Sequence, residues 1–97
     1  MKLDVIAHLY AAAGEESSVR DVLSSIVEPT RKEDGCLRYD LFADLADPCR
    51  FTFIEEWTSA EALDAHSKSA HIAAGRAKLA GKMREPNWVQ RLAQVTP

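Results

Sequence analysis

Two eight-residue runs, Cys36 to Ala43 and Arg50 to Trp57, are rich in apolar and aromatic side chains and flank the segment Asp44-Leu45-Ala46-Asp47-Pro48. Asp and Pro favour turns, so the two runs are predicted to pair as an antiparallel hairpin. If positions 42 and 52 face each other, Tyr39 stands opposite Glu55 and Leu37 opposite Trp57, on one sheet face with Phe51 and Phe53. A slip of one residue would scatter that group across both faces. The same register puts Cys49 beside the loop and Cys36 at the far end, roughly 20 Å or more away at ~3.3 Å per residue. A disulfide between them is therefore out of reach, and free thiols are expected.

Upstream, Leu3 to Tyr10 reads as a strand that ends before Gly14. Val19, Val22, Leu23, Ile26 and Val27 then recur with helical spacing. Pro29 should kink or loosen that helix near its end, and Gly35 should stop it. Downstream of the hairpin, Thr58 and Glu61 have capping-box spacing and predict a short second helix. Ser69 is expected to cap a third, with a stripe of Ile72, Arg76, Leu79 and Met83 and an end at Pro86. Trp88 to Val95 reads as a last strand. The order strand, helix, strand, strand, helices, strand is that of an α+β, ferredoxin-like split βαβ domain with an antiparallel sheet, here one domain spanning residues 1–97. Helices cover one face of such a sheet. The hairpin carries apolar residues on both faces, Ile54 and Phe42 on one and Phe51 and Phe53 on the other, so the uncovered face is expected to meet a second copy. A chain of 97 residues buries only about 60–65% of its unfolded surface, which points the same way, to a homodimer.

The net charge of −3, with acids and bases interleaved, gives no electrostatic footprint for nucleic acid and no polybasic anchor for lipid. No apolar stretch approaches the ~20 residues of a membrane span, and a cytoplasmic location is expected. Neither a dinucleotide-binding glycine pattern nor a phosphate-binding loop is present. His66 and His71 lack the i, i+4 spacing and a nearby third ligand in sequence, so no metal site and no cofactor are expected.

Three motifs occur in order: Glu33-Asp34-Gly35-Cys36-Leu37-Arg38-Tyr39, then Glu55-Glu56-Trp57 closing the second hairpin strand, then His66 and His71 in an H-x4-H pair. Together, over nearly the whole chain, they resemble the antibiotic biosynthesis monooxygenase (ABM) family. The resemblance implies a dimeric α/β barrel with a pocket in each monomer between sheet and helices. It also implies oxidation of quinols or phenols by O2 without metal or flavin, although some relatives degrade haem or isomerise small metabolites. Gly75 replaces the bulky apolar residue that relatives commonly carry there, which would widen the pocket.

His66 is the candidate general base, because an imidazole can accept a phenolic proton near neutral pH and the resemblance matches its position. His71 lies about 140° further round a continuous helix and cannot share a pocket with His66 unless the helix breaks at Ser69. Tyr39 and Glu55 would hold a substrate hydroxyl or His66 itself, and Trp57 and Phe51 would form pocket wall and core. Arg76 either snorkels outward or meets an anion inside. These residues suit a cofactor-independent monooxygenase acting on a hydroquinone or other electron-rich phenolic or polyketide substrate. Three alternatives stand beside it. One is an isomerase of a small anionic metabolite held by Arg76 or Arg38. Another is haem degradation, disfavoured because Arg76 stands where relatives place the ligand histidine. The third is a non-catalytic dimeric module that binds small aromatics.

Overall fold

Alternation of apolar and polar residues along Leu3–Ala11 builds β1, whose odd positions Val5, Ala7, Leu9 and Ala11 are buried. In the computed structural model, which describes all 97 residues, β1 is followed by α1 (Glu16–Ser25) and α2 (Val27–Arg31). The hairpin strands β2 (Cys36–Ala43) and β3 (Arg50–Trp57) come next, then α3 (Ala60–Ser67), α4 (Ala70–Leu79) and β4 (Met83–Leu92). The sheet order is β2-β3-β1-β4 and every neighbouring pair is antiparallel. This is the ferredoxin-like arrangement that the element order predicts.

The hairpin has the expected register from Phe42 opposite Thr52 to Arg38 opposite Glu56, so Tyr39 does face Glu55. Asp44 shapes the turn by accepting hydrogen bonds from the amides of Ala46 and Asp47. The expected pairing of Leu37 with Trp57 does not form. A bulge inserts one extra residue into β2, Cys36 takes the place opposite Trp57, and Leu37 turns outward, 57% exposed. Both cysteines are free thiols.

Pro29 breaks the first helix earlier than expected. Its missing N–H and its ring disrupt the bond to the carbonyl of Ser25, and the chain leaves regular helix at Ile26 before resuming as α2. The cap of α3 is Ser59, whose hydroxyl accepts from the Ala62 amide. Thr58, the expected cap, is still engaged at the sheet end, its amide donating to the Gly35 carbonyl. Gly35 has φ +83, and a Cβ there would lie 2.6 Å from both the Thr58 hydroxyl and Ala62 Cβ. The last helix ends at Leu79, not at Pro86, and Met83 already belongs to β4. Pro86 sits within that strand, tolerated because β4 is an edge and its pairing with β1 is irregular between His8 and Tyr10.

The helices pack on one sheet face. Val19, Leu23, Ile26, Leu63 and Ile72 meet Val5, Ala7, Leu9, Tyr39, Phe51, Phe53 and Trp57 there. Phe51 and Phe53 thus belong to the covered face. The other face carries Ile6, Ile54, Phe42 and Trp88, with Phe42 and Trp88 exposed. No helix is long and apolar enough to cross a membrane.

Candidate active site

Between the sheet and helices α1, α3 and α4 lies a half-open cavity of about 150 Å³, lined mainly by apolar side chains from β1, α1 and α4. Six polar side chains reach its wall: Tyr39, Glu55, His66 and Asn87, each from a different element, with Ser67 and Arg76 beside them. His66 is placed by the last turn of α3, which buries Leu63 and His66 on one side. Its ring lies 4.8 Å from that of Trp57 and 5.4 Å from that of Tyr39, which fixes its orientation by packing.

The Nδ1–H of His66 donates to Oε2 of Glu33 at 2.8 Å, while Nε2 on the other side of the ring has no protein partner. The carboxylate therefore holds His66 in the Nδ1–H tautomer and leaves Nε2 as an acceptor. The same oxygen of Glu33 accepts from Nε2–H of His71, also at 2.8 Å. That convergence requires the break at Ser69. α3 ends at Ser67, Ser69 is extended (φ −68, ψ 154), and α4 restarts at Ala70 and turns His71 toward α2 and the loop that follows it. The hydroxyls of buried Thr30 and of Ser69 stand 3.2 and 3.4 Å from the same His71 nitrogen.

Glu55 is buried, and its Oε1 accepts from the indole N–H of Trp57 at 2.9 Å. Burial pushes its carboxyl up to about 7, the Trp57 hydrogen bond opposes this, and the charge of Glu33 adds to it. Near neutral pH it can thus give or take a proton. Tyr39 is stacked on Phe53 with centroids 4.5 Å apart. Burial first, then the charges of Glu55 and Glu33, raise its phenol far above the usual range, so it remains an O–H donor. The Cys36 thiol is also pushed up, by burial and by Glu33, and stays protonated.

Of the residues singled out in the sequence, His66, Tyr39 and Glu55 do meet at the cavity. Trp57 is fully buried beneath His66 and does not reach the wall, and Phe51 is buried core on the same covered face, outside the lining. His71 lies behind Glu33, outside the lining. Arg76 touches the rim, but its side chain is exposed and donates to the Ser67 carbonyl at 3.1 Å, so it snorkels. Gly75 does border the cavity, yet the space its missing side chain leaves is taken by Ile26 at the break between α1 and α2, whose Cγ2 would stand 3.3 Å from a Cβ there. The residue that spacing did not reveal is Glu33, which supplies the third group that the two histidines lack in sequence.

A model of the antibiotic biosynthesis monooxygenase family matches residues 3–78, a stretch that includes Glu33, Tyr39, Glu55, His66 and His71. The chain belongs to that family. The ABM match is supported by individual relatives. Rv0793 of Mycobacterium tuberculosis is 36% identical over 91 residues, 94% of this chain and 89% of the relative. Its solved structure superimposes with a TM-score of 0.91 at 31% identity, covering 100% of this chain and 98% of that one. A crystal structure described as an antibiotic biosynthesis monooxygenase has a TM-score of 0.91 at 35% identity, over 97% of this chain and 99% of that one. PA3566 from Pseudomonas aeruginosa has a TM-score of 0.92 at 29% identity, over 98% and 95% of the two chains. The ABM fold and a monooxygenase-like class thus apply to this chain. Asn87 and Val89, which close the cavity from β4, lie beyond the matched family segment.

Proposed function

We propose that the protein is a cofactor-independent monooxygenase that oxidises a hydroquinone or similar electron-rich phenol with O2, with His66 as the base. The observation that carries this reading is the pair formed by Glu33 and His66. The carboxylate clamps Nδ1–H at 2.8 Å while the ring borders an apolar cavity with Nε2 unpaired. That is the arrangement by which a carboxylate orients an imidazole to take a proton.

The size of the cavity narrows the substrate class. An apolar cavity of about 150 Å³ has room for one benzene-sized ring, so a single-ring phenol fits inside, and a fused polyketide would project through the open side. His66 Nε2 takes the phenolic proton, and the electron-rich phenolate passes one electron to O2. The resulting radical and superoxide combine at a ring carbon, and the hydroperoxide loses water to leave a new carbonyl. One oxygen atom enters the product, and the other leaves with two hydrogens as water. Tyr39 donates a hydrogen bond to the developing anion, His66 hands the phenolic proton on to the peroxide, and Glu55 protonates the departing oxygen and regains the proton that the ring carbon loses. The apolar walls keep bulk water from quenching the anion.

The working unit is a homodimer in the cytoplasm, an assembly supported by the exposed Phe42 and Trp88 beside Ile6 and Ile54 on the open sheet face. Sedimentation should find a dimer or a multiple of it, and a stable monomer at working concentration would refute that assembly. The test of the reaction is oxygen consumption by chelator-treated protein across hydroquinones, catechols and anthrones. Uptake on single-ring hydroquinones is expected, and no uptake on any of them would refute the reading. A second reading is an isomerase of a small anionic metabolite, for which Arg76 would have to leave the Ser67 carbonyl and swing from the rim into the cavity. Product formation without oxygen uptake would select it.

A further inference from the structure

Glu33, His66 and His71 come from the loop after α2, from α3 and from α4, and their donor atoms lie within 4.8 Å of one another. Both imidazole nitrogens are 2.8 Å from one carboxylate oxygen. Donors that share a divalent ion at about 2.0–2.2 Å stand about 3.0–3.4 Å apart. Each nitrogen needs to withdraw from the oxygen by only a few tenths of an ångström, and donors as far apart as 4.8 Å need to close by about 1.4 Å through side-chain rotation, for an ion to replace the two shared protons. Two imidazoles and a carboxylate select zinc, cobalt, nickel or iron over magnesium or calcium. Glu33 and His71 keep some side-chain exposure, 17% and 24%, and neither lines the cavity. An ion can thus reach the triad from solvent without passing through the cavity. The hydroxyls of Thr30 and Ser69 stand 3.2 and 3.4 Å from that same His71 nitrogen, where they would lie beside a bound ion as further oxygen donors.

We propose that Glu33, His66 and His71 form a divalent transition-metal site that switches the cavity histidine between proton acceptor and proton donor. In the metal-free protein the proton of His66 sits on Nδ1, between the ring and Glu33. An ion bound at Nδ1 takes the electron pair there, and the neutral ring must carry its proton on Nε2. Nε2, the ring nitrogen without a protein partner, then has no lone pair to offer a phenol. The ion is an off-switch for base catalysis rather than a cofactor of it, and His71 serves as a ligand rather than a second base. Capture of the ion stands apart from the oxygenase reading, whereas its effect on turnover rests on that reading.

The test uses full-length, chelator-treated protein and Co²⁺ or Zn²⁺ alone, with no substrate. Co²⁺ should give visible absorption bands that saturate at one ion per chain, and Zn²⁺ should displace it. His71→Ala, confirmed folded by circular dichroism, should weaken binding by more than the roughly 10- to 100-fold that loss of an outer partner costs. In the unaltered protein, imidazole ¹⁵N spectra should show the His66 ring proton moving from Nδ1 to Nε2 when Zn²⁺ is added. That measurement decides the matter even if a variant fails to fold. The proposal is overturned by the absence of a saturable band, by bands that survive both His71→Ala and Glu33→Gln, or by a His66 tautomer that Zn²⁺ does not move. None of these readouts depends on whether any phenol is oxidised.

Discussion

Glu55→Gln tests the electrostatics of the cavity most directly. The buried carboxyl rises from the ordinary 4.5 to about 7, so the folded state binds its proton more tightly than the unfolded state does. Below pH 4.5 both states are protonated and the group does not affect stability. Between pH 4.5 and about 7 the unfolded chain ionises first, the folded state holds more protons, and stability falls as pH rises. The interval from 4.5 to about 7, at 1.36 kcal/mol per unit, corresponds to about 3 kcal/mol lost by pH 8. Gln fills the same volume, cannot ionise, and its amide oxygen can still accept from the indole of Trp57. Urea unfolding of both proteins from pH 5 to pH 8 gives the difference curve, in which groups common to both cancel. Gln should be little different from wild type at the acid end and more stable by about 3 kcal/mol at the alkaline end. A flat difference, or one of opposite slope, would refute the claim that burial dominates this carboxyl.

His66→Ala should lower turnover by roughly 10²-fold or more, and a more acidic, already ionised phenol should restore part of it in oxygen-uptake assays. Full activity in that variant would move the base to Tyr39 or Glu55. Glu33→Gln keeps the size but loses the charge, so His66 is no longer held with its proton on Nδ1. A turnover loss of roughly 10²- to 10⁴-fold is expected with KM little changed, and unchanged turnover would remove Glu33 from the mechanism. Gly35→Ala should destabilise through its φ of +83 and through contact at 2.6 Å with Ala62 and Thr58, whereas Gly14→Ala carries the backbone strain with nothing within 4 Å. Backbone strain alone costs about 1–3 kcal/mol, or roughly 4–8 °C of Tm for each kcal/mol, so Gly35→Ala must melt below Gly14→Ala. Equal melting temperatures would sink the steric argument.

The parts of the site legible in the sequence are those governed by short-range periodicity. A period of two and a turn of known composition were enough to put Tyr39 opposite Glu55, because nothing interrupts the ladder between Phe42 and Arg38. The same logic failed one step further on, at Leu37, because a bulge leaves little trace in composition. Pro86 misled in a different way. A proline after a helical pattern ordinarily ends the helix, but an irregular edge strand tolerates it equally well, and only the tertiary position of β4 decides between the two. Helical geometry left the relation of His66 to His71 open, conditional on Ser69. Glu33 stood in the first motif, but its pairing with the histidines was out of reach because its approach depends on the Pro29 break and on how α2 packs, neither of which has a periodic signature.

The break at Ser69 makes the histidine pair a reporter of tertiary docking. His66 and His71 belong to separate short helices, and the carboxylate that both rings share, Glu33, arrives from a third segment. An expanded state that keeps its helices but loses fixed side-chain packing would retain far-ultraviolet circular dichroism while all three groups drift apart. The ring nitrogen signals of His66 would therefore vanish ahead of the helical signal in any transition that is not all-or-none. In a strictly two-state unfolding they would disappear together.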